Sequence, residues 1–188
     1  MARAMAGRMT RRGFARIGAG GAAALVAGCA TPDPATRDLP AMGRFELVAP
    51  IVVAEGARRI PPSRDASPEA WKAVLEDELS RRFGGYRGGT GYYVALGIDG
   101  FSLAPPGIPI VLTPKSILVV TANLWTADPQ EKVLGPHQLS TFEGAEGLIL
   151  GTGLTKDAEE QMRTLSRNMA ARVQRWILET PEVVGLTA

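Results

Sequence analysis

The side chains able to do chemistry are few. His137 is the only histidine and Cys29 the only cysteine. A Ser-His-Asp or Cys-His set needs a base held beside its nucleophile. A metal site usually gathers several such ligands. A lone histidine between Pro136 and Gln138 reads instead as a surface or hydrogen-bonded residue. Lys115 and Ser116 are a formal Ser-Lys pair, but neighbours on a strand point to opposite faces. Gly84 to Gly91 (Gly-Gly-Tyr-Arg-Gly-Gly-Thr-Gly) lacks the Gly-Lys-Ser/Thr ending of a phosphate loop and follows a helix instead of opening one. It reads as a flexible turn. Glu76, Asp77 and Glu78 bring carboxylates together, on the side of a helix expected to face water. These residues assemble no catalytic constellation, no metal site and no cofactor site, and the chain reads as non-enzymatic.

Cys29 has a different context. Five arginines and no acid precede Ile17 to Ala27, a mildly apolar run of eleven residues that closes on Val26-Ala27-Gly28-Cys29. A basic start, a short apolar run and small residues at a cut site are the order of an export signal. The run is too short for a hydrocarbon core, which needs about 20 apolar residues.

Val26 to Cys29 resembles the lipobox of bacterial lipoproteins. The resemblance implies cleavage between Gly28 and Cys29, lipid on the Cys29 thiol, and acylation of the new amine. One chain holds a protein only marginally, at roughly 0.8 kcal/mol per buried CH₂, whereas several hold it in effect permanently. Thr10 to Arg16 resembles a twin-arginine signal, with Arg11, Arg12 and Phe14 in its places. An ordinary basic leader for the general secretory route is the alternative. Ala30, where an Asp would retain a lipoprotein at the inner membrane by resemblance to enterobacterial sorting, favours the outer membrane on its periplasmic side.

Removing residues 1–28 changes the charge. Five of the 21 basic residues and none of the 19 acids lie there, which leaves 16 against 19, a net of −3. Nucleic-acid binding loses its basic excess. With Cys29 as the anchor, no disulfide or thiolate site remains. The expected organisation is a cleaved signal over 1–28, lipidated Cys29 with a proline-containing tether over 29–43, one domain over 44–180, and a tail over 181–188.

The elements that must carry any site follow from periodicity. Phe45 to Ala54 reads as a strand, and Arg58 to Ala66 as a polar loop. Ser67-Pro68-Glu69 opens a helix: Ser caps, Pro suits the first position, and Glu suits the positive end of the dipole. Trp71, Val74, Leu75, Leu79 and Phe83 form its apolar stripe, and Gly84-Gly85 ends it. Val94, Leu96 and Ile98 share a strand face. After Asp99-Gly100 the phase shifts to Phe101 and Leu103, as a β-bulge would cause. Ser116 to Thr126 is a central strand, Ala127 to Gln130 a turn, and Lys132 to Phe142 a return strand. Thr155 to Glu179 is a helix with Met162, Leu165, Met169, Val173, Trp176 and Ile177 inward. The expected fold is α+β: a mostly antiparallel four-stranded sheet with two long helices on one face, in the order β-α-β-β-β-α. Two helices cannot cover both sheet faces, so one face is expected to be partly open.

Ala104-Pro105-Pro106-Gly107-Ile108-Pro109-Ile110-Val111-Leu112-Thr113-Pro114-Lys115-Ser116, with Gly153-Leu154-Thr155, Glu160-Gln161-Met162 and Leu165-Ser166-Arg167-Asn168, resembles a group of uncharacterised alphaproteobacterial lipoproteins. The resemblance covers most of 45–179 and implies no activity. The element order is also similar to small accessory lipoproteins of lipid-transport machines and lipopolysaccharide assembly, a fold-level analogy only. Pro105, Pro106, Ile108, Pro109, Ile110, Leu112 and Pro114 are the candidate partner-contact lip, against the favoured alternative that most of them form an extended hairpin end folded back on the core, and the open sheet face is the second candidate. The expected partners are the membrane, through the lipid, and an envelope protein. The expected role is a docking or accessory subunit of an envelope transport or assembly complex. A small-molecule or lipid carrier, with its cavity between helices and sheet, is the alternative.

Overall fold

In a computed structural model, the described residues are 40–105, 116–142 and 157–185. The signal positions Arg11, Arg12, Phe14, Gly28 and Cys29 lie outside them, as do Pro106, Ile108, Pro109, Ile110, Leu112, Pro114 and Lys115. The elements run β1 (Phe45–Val53), β2 (Arg58–Arg59), α1 (Pro68–Phe83), β3 (Thr90–Ser102), β4 (Ile117–Thr126), β5 (Lys132–Phe142) and α2 (Ala158–Leu178).

The fold is the expected α+β arrangement, with strands ordered β1-β3-β4-β5 and β3, β4 and β5 antiparallel. There are two departures. β1 runs parallel to β3, because the α1 crossover returns the chain to the end from which β1 set out. The polar loop after β1 contains the two-residue strand β2, which pairs with β3 at Gly100 and Phe101 and brings the sheet to five strands. It continues the line of β1, whose own pairing ends at Val53 opposite Gly97.

Both helices start where their caps say. The Ala70 N–H donates to Ser67 Oγ at 3.1 Å, with Pro68 at the first position. Hydrogen bonds from its own backbone N–H and from Ser67 hold the Glu69 carboxyl below the usual range. Asp157, expected in the first turn of the second helix, is its cap and accepts from the Glu160 N–H at 2.8 Å; the expected start at Thr155 is outside the described residues. No helix among the described residues is long and apolar enough to cross a membrane.

The core lies between the helix layer and one sheet face. Trp71, Leu75, Leu79 and Phe83 from α1 meet Val94, Leu96, Leu118, Val120 and Leu124, all buried, while Leu165, Met169, Val173 and Ile177 close the other half. Full burial of each such side chain contributes about 1.5–3 kcal/mol. Aromatic rings concentrate where β1 meets α1: Phe45 stacks on Tyr92 at 5.2 Å and tilts against Phe83 at 5.5 Å.

Glu78 departs from expectation. It is 4% exposed and lies between the helices, not on a solvated side. Arg81 and Arg167 approach its Oε1 at 3.9 and 3.7 Å, and that atom has no hydrogen-bond partner. The helices run side by side in the same sense, so the flank of α1 that carries Glu78 is roofed by α2. Glu76 is half-buried and Asp77, paired with Arg81, is exposed.

The ends of the body are tied down. Met42, within the expected tether, is buried, as is Val184 in the expected tail. The Arg44 N–H donates to the Val184 carbonyl at 2.7 Å. Gly43 sits at φ +54°, and a Cβ there would lie 2.3 Å from the Val184 oxygen, so only glycine fits.

Candidate functional site

The helices cover one sheet face and leave the other bare among the described residues. Inward positions of β3 and β4 (Val94, Leu96, Leu118, Val120) are buried, and the alternate residues Tyr93, Ala95, Val119, Thr121, Asn123 and Trp125 make the outer face. Its most exposed large apolar side chains lie on the outermost strands: Val48 at 51% exposure, Ile51 at 42%, Val53 at 55% and Phe142 at 46%. Val48 is the residue passed over where β1 shifts register between Leu47 and Ala49, and it packs over Gly91. Lys132 lies over the Trp125 ring at 5.9 Å.

The sheet edges are less available than its face. Pro50 stands mid-way along β1 and Pro136 within β5, the two outer strands of the order. Proline has no N–H to give a further strand, so both edges are blunted against strand addition.

The bulge expected at Asp99-Gly100 is present, and it builds the only polar cluster on this face that spans three strands among the described residues. Ile98 pairs with Val120 and Gly100 with Val119, leaving Asp99 as the extra residue. Its Oδ2 accepts from Thr121 Oγ1 of β4 at 2.9 Å and from Gln138 Nε2 of β5 at 3.0 Å. Asp99 and Gln138 line an open cleft of about 450 Å³ with Val53, Gly56, Arg58 and Gly97. Sequence reasoning missed these residues. Asp99 was visible only as a turn-like residue at a phase change, and Gln138 only as a neighbour of His137.

The other residues singled out by type have structural roles. His137 is exposed but stacks face to face on Trp176 at 5.6 Å. Ser116 is buried and its Oγ accepts from the Ala104 N–H at 3.1 Å. Pro105 is half-buried just past β3. The glycine-rich turn packs against the start of β1: Gly88 N–H donates to the Phe45 carbonyl at 3.0 Å, and a Cβ at Gly88 would meet the Arg44 carbonyl carbon at 2.1 Å. Among the described residues, no three His, Cys, Asp or Glu side chains come together as a metal site.

A second polar cluster fixes the start of the body. Arg82 Nε donates to Gln174 Oε1 at 2.9 Å, Gln174 Nε2 donates to the Tyr86 hydroxyl, and that hydroxyl donates to the Pro40 carbonyl at 2.9 Å. Burial raises the Tyr86 pKa, and burial likewise raises that of Tyr92, whose hydroxyl donates to the Val183 carbonyl at 2.8 Å.

No family model matches the chain, and no curated protein does. Solved structures similar to it include a Xanthomonas campestris protein of the DUF330 family, at 14% identity and a TM-score of 0.47, over 79% of this chain and 94% of that one. Others are a candidate lipoprotein from Caulobacter crescentus (12% identity, TM-score 0.33, 73% and 90% covered) and a minor lipoprotein from Acinetobacter baumannii (14%, 0.29, 70% and 94%). At such identities and scores these likenesses carry nothing about activity, ligand or partner.

Proposed function

We propose that this chain is a lipid-anchored lipoprotein of the bacterial envelope, held to a membrane, the outer membrane by preference, through Cys29. Its role is non-enzymatic: it docks as an accessory subunit on an envelope protein complex of transport or assembly type. The observation that carries the docking reading is the sheet face left bare among the described residues, with Val48, Ile51, Val53 and Phe142 exposed on it. Surfaces of that kind, with apolar residues set among polar ones, fit a protein partner better than hydrocarbon. Thr121, Asn123, Asp99 and Gln138 supply the polar share. The prolines in β1 and β5 direct the partner to the face and away from the edges.

The core between the layers is filled by fully buried side chains, which weighs against the carrier alternative. The test is site-specific photo-crosslinking in intact cells from Ile51 and Val53, with Lys72 and Arg163 on the helices as controls. The expected result is one envelope protein captured from the sheet face and not from the helices, with the product lost in an Ile51→Asp variant. Equal capture from both sides, or a product unaffected by Ile51→Asp, overturns the reading.

A further inference from the structure

The cleft on the outer sheet face is built around an absence. Gly97 stands at the middle of β3, and the place its Cβ would take has nothing within 4 Å. On a face otherwise covered by side chains, that leaves a floor of bare backbone. The adjacent bulge then lifts Asp99 to one wall, while β2, paired at Gly100, sets Arg58 on another.

The two charged residues are unequally provided for. Both donors to Asp99, Thr121 Oγ1 and Gln138 Nε2, reach the same oxygen, Oδ2. They fix the carboxylate in place and leave Oδ1 without a hydrogen bond among the described residues. Arg58 is exposed and makes no side-chain hydrogen bond or ion pair among those residues, whereas its neighbour Arg59 pairs with Asp65. Opposite charges thus line one cleft without forming an ion pair with each other. An anion alone would meet Arg58 at the expense of Asp99, and a cation alone the reverse. Charge-assisted hydrogen bonds to both walls need a ligand that carries both signs.

We propose that this cleft binds a small zwitterion, with an ammonium against Asp99 and a carboxylate or phosphate against Arg58. The Gly97 floor lets the ligand backbone lie close to the sheet, and Val53 offers an apolar contact to its carbons. The volume, about 450 Å³, falls in the range of small-molecule sites. The proposal does not depend on the docking reading: it concerns a free ligand and is measured without any protein partner.

The test is amide NMR on the full lipidated chain in a non-ionic detergent. The probes are glycine and phosphoethanolamine as zwitterions, with ethanolamine, acetate and inorganic phosphate as single-charge controls. The expected result is that at least one zwitterion shifts the amides of Gly97, Asp99, Thr121 and Gln138, and binds about tenfold or more tightly than any control, the factor that one additional interaction of ~1.4 kcal/mol supplies. Glycine alone points to an amino acid as the source, and phosphoethanolamine alone to a headgroup. Gly97→Val fills the floor and should abolish binding with the melting midpoint held, and Arg58→Gln should bring the zwitterion down to the level of ethanolamine. The proposal fails if neither zwitterion shifts these amides, if the controls bind equally well, or if both variants bind as the parent does.

Discussion

The backbone N–H of Arg44 donates to the carbonyl of Val184 at 2.7 Å, so the first and last described turns of the body are hydrogen-bonded to each other. The first residues of the body are therefore held by its last ones. Tyr86 adds a second hold from the side, donating to the Pro40 carbonyl at 2.9 Å.

Gly43→Ala should weaken this junction. The substitution puts a side chain at φ +54° and a Cβ against the Val184 oxygen. A loss of ~1–3 kcal/mol is expected from backbone strain of this kind. Urea denaturation would check it, and a midpoint equal to that of the parent would show that the junction relaxes freely.

Trp71→Ala should cost ~3–5 kcal/mol, the range of a core aromatic truncation. Trp71 is fully buried and packs on Phe101 at 5.2 Å. Thermal unfolding is the measurement, and an unmoved midpoint is the outcome that contradicts it.

Glu78→Leu should leave stability unchanged or raise it by ~1–2 kcal/mol. Removing one partner of a buried ion pair is costly when it strands a charge out of water, but Arg81 and Arg167 are exposed and stay solvated without Glu78, so the apolar replacement behaves like replacement of the whole pair, which is often neutral or stabilising. Here the ion pairs are long and Oε1 lacks a hydrogen bond. A loss above ~2 kcal/mol in denaturant melts would show that Arg81 and Arg167 stabilise the fold through it.

Alkali should lower the stability of the protein through Tyr86 and Tyr92. Tyr86 and Tyr92 have pKa values raised in the fold by burial. Their stabilisation is fully present below the unfolded value, near 10, and is lost as pH rises through the folded values. Tyr92→Phe should flatten the fall in melting temperature above about pH 10. An identical alkaline limb in the variant would mean that another group titrates.

Cys29→Ser should move the protein from the membrane pellet to the soluble periplasmic fraction. Fractionation with an outer-membrane marker reads it out, and a variant that still pellets removes the lipid as the anchor.

Much of the architecture was legible in local patterns. Ser67-Pro68, the Trp71 to Phe83 stripe and the alternation through Val94, Leu96 and Ile98 each depend on neighbours within a turn or a strand, where side-chain direction follows spacing alone. The bulge at Asp99 was legible for the same reason, as a change of phase. The position of Glu78 was not. Its flank of α1 looks solvated until α2, some 80 residues later, lies down beside it. The sense of β1 was not legible either, because pairing partners are chosen by the whole sheet.

The sequence alone determined which apolar residues turn inward and, through the leader and Cys29, the expectation of a lipid anchor, since both reside in short contiguous runs. Only the tertiary structure decided that Asp99, Thr121 and Gln138 meet on the outer sheet face with Arg58 at the rim. That meeting depends on the register of β3, β4 and β5, and a one-residue slip in any of them would turn its side chains to the other face.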